Sequence, residues 1–147
     1  MMKLVTPLTQ IDSTALYTLG SKVMDKDGNE YIYMLGVIST VVGDAVTYTG
    51  AYATARAVAN LKGPVAFAMA AIVAAKYGWY QIKGLVNGLT LTTVVTQAPL
   101  YLTATAGQLD DAVVATDLVY GAFAYGVGGT NAACTFIINY PFVTTNA

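Results

Sequence analysis

The side chains able to do chemistry in this chain are few and poorly grouped. Asp110-Asp111 is the one adjacent carboxylate pair, the raw material of an acid/base couple acting on a glycosidic bond. Neighbours in an extended segment point to opposite faces, so the pair reads instead as part of a solvated surface loop from Gln108 to Asp117. Glu30, Asp44 and Asp117 stand near turns and fit the same account. Asp25, Asp27 and Asn29 carry the alternate spacing of a calcium loop, yet the twelfth position is Gly36 where an EF-hand needs glutamate, and the flanks look like strands. A turn is the better reading. Gly126-Val127-Gly128-Gly129 is followed by neither a Lys-Ser/Thr pair nor a helical pattern, which removes it as a phosphate cradle. Cys134 lies in an apolar run without a basic neighbour and reads as a buried small hydrophobe.

Histidine is absent, which takes away the commonest general base, metal ligand and physiological-pH switch together. The sequence therefore points away from an enzyme and implies no cofactor and no metal. With 7 basic and 8 acidic residues the net charge is -1, so nucleic acid and anionic membrane are not expected partners. The longest apolar run, Pro64 to Ala75, is short of the roughly 20 residues a helix needs to cross a bilayer. The first residues meet Thr6 and Pro7 before a signal-peptide core can build.

Charge is scarce as well as balanced. Only 10% of the 147 residues are charged while 56% are hydrophobic, and no Lys or Arg follows Lys83. A soluble monomer normally spreads both signs over its surface, so much of this exterior is expected to be covered by other chains. The 19 threonines offer a second way of wetting it, and both can hold together.

The elements that must position these residues are strands. Lys22-Val23-Met24 and Tyr31-Ile32-Tyr33-Met34-Leu35 flank Asp27-Gly28, a hairpin signature. Gly43-Asp44 turns into a strand at Ala45-Val46-Thr47-Tyr48. Alanine at 51, 53, 55, 57 and 59 has the period of a strand with one methyl-lined face, against alanine's helical preference, and the alternation returns over 65–70. Tyr77 to Lys83 alternates strongly and Gly84 breaks it; Asn87-Gly88 then marks a second hairpin. Pro99 to Thr105, Leu118 to Tyr125 and Ala133 to Tyr140 complete the set, with Pro141 ending the last ladder. Turn signals every eight to twelve residues predict an all-β sandwich or barrel-like domain over 21–147, preceded by an extended N-terminal arm, 1–20. The 11 tyrosines and Trp79 mostly alternate with apolar residues and suit a core or a subunit interface; stacking on a glycan is the competing use.

From Gly43 to Pro141 the chain resembles the decoration, or cement, proteins of tailed-bacteriophage heads. The resemblance rests on Val42-Gly43-Asp44-Ala45-Val46, on Tyr77-Gly78-Trp79-Tyr80-Gln81-Ile82-Lys83-Gly84, on Ala98-Pro99-Leu100-Tyr101-Leu102-Thr103-Ala104-Thr105-Ala106-Gly107, and on the closing Val119-Tyr120-Gly121-Ala122-Phe123-Ala124 hairpin. Gln97-Ala98-Pro99 departs from the Gly-Asp turn common there, and residues 1–42 have no counterpart. The resemblance implies a compact β-domain, commonly a homotrimer, on the capsid exterior at junctions between major capsid protein subunits, assembled in the host cytoplasm, without catalysis or cofactor. Candidate contact residues are the apolar side chains of the arm, Leu4, Val5, Leu8, Ile11, Leu16 and Tyr17, together with Arg56, Lys62 and Trp79. The alternatives are a head-fibre or adhesin module binding host glycan through tyrosines around Trp79, and another non-enzymatic virion component such as a tail protein.

Overall fold

The structure is a computed structural model and describes residues 2–3 and 7–145. Among them the regular elements are all strands: β1 (Met2–Lys3), β2 (Lys22–Met24), β3 (Glu30–Leu35), β4 (Ala45–Tyr48), β5 (Thr54–Arg56), β6 (Gly63–Ala68), β7 (Tyr77–Thr90), β8 (Pro99–Leu102), β9 (Gln108–Asp110), β10 (Leu118–Ala124) and β11 (Ala132–Val143). They join in one sheet of order β1-β2-β3-β7-β9-β8-β10-β11-β6-β4-β5, and β7 also pairs with β11 and β6. Because β7 meets both β9 and β11, the path β7-β9-β8-β10-β11 returns to its start. Five strands thus close a ring, which removes their free edges. The all-β, barrel-like expectation describes this half of the molecule.

Strand β7 organises both halves. Its first part pairs with β3, Tyr77 opposite Leu35 and Trp79 opposite Tyr33, and touches β6 at Tyr80 and Gln81. From Lys83 onward its partner is β11, Lys83 opposite Asn139 through Thr90 opposite Ala132. The change of partner happens at Gly84, whose φ of +107° suits glycine and whose missing Cβ leaves room for the Asn29 amide oxygen. The Gln81 side-chain amide donates to the carbonyls of Lys83 and Leu85, at 3.0 and 2.8 Å, and so holds the bulge from both sides. Gly84 redirects the strand and does not end it.

Asn87-Gly88 is accordingly no hairpin turn. Both residues pair in mid-strand, with Thr135 and Cys134. Gly88 is required for packing: a Cβ there would lie 2.2 Å from the Phe136 ring, inside the barrel, where Phe136 also meets Phe67 edge-on at 5.7 Å. Pro141 likewise does not stop β11. A bulge at Gly121 (φ +75°) and Tyr140 (φ +47°) accommodates it, and pairing resumes between Tyr120 and Phe142 and between Phe142 and Pro64.

The alanine alternation over 51–59 yields only the three residues of β5. Tyr52 and Asn60 take positive φ, and Ala57 is held by backbone bonds to Ala45 and Gly107 outside any ladder. The stretch 108–117 is also not a solvated loop throughout: Gln108–Asp110 forms β9, and Asp110 and Asp117 are buried. Two apolar clusters fill the interior, one within the ring around Phe67, Leu100, Leu102, Leu109 and Phe136, the other around Ile32, Met34, Ile72, Tyr80 and Ile82. A third, of Val23, Tyr31, Tyr33 and Trp79, lies beneath residues 8–19.

Candidate functional site

The sequence-predicted contact residues do not come together. Leu4 and Val5 lie outside the described residues. Leu8 and Tyr17 are partly buried against the third cluster, while Ile11 and Leu16 stay exposed. Trp79 is only 1% exposed, its indole 5.4 Å from Tyr17 and 5.1 Å from Tyr33, so it is a core residue and offers nothing to a partner or a sugar. Described residues 7–20 are folded down: Asp12 exchanges backbone bonds with Tyr77, and its carboxylate accepts the Tyr33 hydroxyl at 2.6 Å. Burial, reinforced by that carboxylate, pushes the Tyr33 phenol up to about 12.

Arg56 and Lys62 also face inward. Arg56 reaches the fully buried Asp44 at 2.7 Å, and Lys62 reaches Asp117 at 2.8 Å. Both cations neutralise carboxylates that also accept backbone amides, those of Val41 and Asn60. Within the fold they act as ties.

Asp25, Asp110 and Asp111 have structural work of the same kind. Asp25 accepts four hydrogen bonds within its hairpin, from the amides of Asp27 and Asn29, the Asn29 side chain and the Tyr31 hydroxyl. Desolvation raises its pKa, but these donors together outweigh it and hold the carboxyl below its ordinary value; the same contact and burial raise Tyr31. Asp110 accepts from Thr92 and from the Asp111 amide, whereas Asp111 accepts from the Val95 amide. The two neighbours thus serve different loops. The Cys134 thiol is buried, which raises its pKa, and it donates to the Gly126 carbonyl.

What stands out is the outer face of the ring. On β10 the inward side chains are small, Val119, Ala122 and Ala124, while Tyr120 and Phe123 point outward, followed by Tyr125. Outward aromatics beside inward alanines make a large exposed apolar patch, which is the informative departure from ordinary burial. Register extends these residues into two rows. Pro99, Phe123, Ile137 and Leu85 lie side by side across β8, β10, β11 and β7; Tyr120, Phe142 and Pro64 do so across β10, β11 and β6. The Tyr120 and Phe142 rings stack at 5.2 Å. Beside them Val113 and Val114 line a shallow apolar pocket of about 210 Å³ with Tyr101 and Tyr120. Residues 118–147 contain no charged side chain, so these rows have none to interrupt them on β10 or β11.

The sequence held a signal for part of this face: alanine alternates with an aromatic over Ala122 to Tyr125, although the alternation alone does not say which set is inside, and Tyr120 joins the outer set only through the irregularity at Gly121. Fold and face together define an all-β domain with an uncharged, aromatic patch across β10 and β11. No protein-family model, curated protein or solved structure matches the chain.

Proposed function

We propose that this chain is a virion structural protein that decorates the outside of a bacteriophage capsid, binding at junctions between major capsid protein subunits and stabilising them, and that it associates with itself, as a homotrimer. The observation that carries the proposal is the inversion on β10, with aromatics outside and alanines inside. Tyr120, Phe123 and Phe142 are 37%, 39% and 46% exposed. At about 150–250 Å² per covered aromatic side chain, their open surface is about 250 Å², or about 6 kcal/mol at ~25 cal/mol per Å². Association itself costs about 4–15 kcal/mol, so one such face binds weakly by itself. Several copies linked to one another and to a lattice multiply that weak contact, which is how a cement protein acts. The reading involves no catalysis, cofactor, nucleic acid or membrane.

The test is co-sedimentation of the purified chain with heads of the encoding phage that lack it, combined with light scattering. Expected are saturable binding and a mass of three times 15.4 kDa. Tyr120→Lys with Phe123→Lys is expected to leave the melting temperature nearly unchanged and to abolish head binding. Failure of the parent chain to bind heads, or undiminished binding by the double variant, overturns the proposal.

A further inference from the structure

We propose that the groove between the β2–β3 hairpin and the outer face of the ring is a binding site for one hexopyranose unit of a neutral glycan. Asp27, Asn29, Gly84, Leu85, Tyr125 and Ile137 line it, and its volume is about 480 Å³, within the range of small-molecule sites. A pyranose presents an apolar C–H face and a rim of hydroxyls, and needs a surface with both characters. The Tyr125 ring, 57% exposed, supplies a stacking platform, and Leu85 and Ile137 continue it as an apolar floor. The rim is polar. Asp27 carries a carboxylate that only accepts hydrogen bonds, and its ion pair to Lys26 at 3.3 Å is open to water and easily exchanged for hydroxyls.

Asn29 is fixed in place. Its backbone and side-chain amides donate to Asp25, its side-chain amide also meets the Tyr31 hydroxyl and its oxygen accepts the Leu85 amide, so it forms a fixed polar wall of the groove. Gly84 makes the approach of Asn29 possible, since a Cβ there would coincide with the amide oxygen. The polar rim is thus positioned before any ligand arrives, which lowers the entropic cost of binding. The exposed Lys26–Asp27 pair also resists burial in a dry protein contact, so the Leu85–Ile137 end of the first row stays hydrated when the rest of the two rows is covered. The sequence directed attention to Trp79 for this chemistry; the exposed aromatic at this groove is Tyr125.

The inference does not depend on capsid binding and is tested separately. Labelled protein is titrated with maltotriose, cellotriose, chitotriose and mannotriose, following backbone amides by NMR into the millimolar range. At least one trisaccharide is expected to shift Asn29, Leu85, Tyr125 and Ile137 saturably. Tyr125→Ala should weaken it about tenfold or more, equivalent to the loss of about one stacking contact, while Tyr125→Trp retains binding. Absence of saturable shifts with all four sugars, or shifts unaffected by Tyr125→Ala in a variant of unchanged melting temperature, overturns the assignment. Broadening of these amides with protein concentration alone, insensitive to sugar, also overturns it by giving the groove to a second copy.

Discussion

Arg56 on β5 holds Asp44, the residue that enters β4, through two bonds of 2.7 and 3.2 Å, and Asp44 is completely excluded from solvent. The pair joins the two strands at the far end of the sheet from the hairpin, and the Asp44 carboxylate occupies the space a Cβ on Gly107 would need. A buried carboxylate deprived of its cation keeps its desolvation cost, here with the Val41 amide left as a hydrogen-bond donor to it.

Arg56→Met is therefore expected to destabilise the fold by about 3 kcal/mol, the low end for breaking a buried pair because Arg56 is itself partly exposed. Urea unfolding measures this. A change below the noise of that measurement would show that Val41 and water satisfy Asp44 without the guanidinium.

Gly88→Ala places a methyl against the Phe136 ring within the barrel and is expected to cost about 1–3 kcal/mol through overpacking. The same change would be harmless or worse for a different reason if Asn87-Gly88 were a turn. Combining it with Phe136→Leu should recover part of the loss, because the smaller side chain vacates the contested space; a turn defect would not be rescued.

Deleting residues 1–20 uncovers Trp79 and removes the carboxylate that accepts from Tyr33. The truncated protein is expected to melt lower and to show red-shifted tryptophan emission. Asp12→Ala isolates the polar part: the Tyr33 oxygen still accepts the Leu16 amide, but its proton is left without an acceptor, with a loss of about 1–3 kcal/mol. An extended arm held only by a partner would leave both observables unchanged.

Alkaline pH should unfold the protein in a defined window. The Tyr33 and Tyr80 phenols, raised mainly by burial, reach about 12 from an ordinary 10.0. Below pH 10 folded and unfolded chains both keep these protons and the full stability is present. Between pH 10 and about 12 the unfolded chain ionises first, so stability falls as pH rises. Denaturant titrations across that window, with phenolate absorbance, check it; Tyr33→Phe should flatten the slope.

Period-two alternation and turn chemistry are local properties, and they were enough to read an all-β chain, the Asp25 to Glu30 hairpin, the Gly43-Asp44 turn and strands at most of their positions. Composition also revealed a surface short of charge. Tertiary structure decided the rest, because the same local signal admits two non-local uses. Asn87-Gly88 fits a turn or the close approach of an aromatic ring, Pro141 fits a strand end or a bulge, and Tyr120 to Tyr125 fits either face of the sheet. Which use prevails depends on distant partners, Phe136, Gly121 and the already filled interior of the ring. Close packing lets each position of that interior hold one set of side chains: it contains Phe67, Leu100, Leu102, Leu109 and Phe136, β10 adds Val119, Ala122 and Ala124, and the aromatics of β10 lie on the other face.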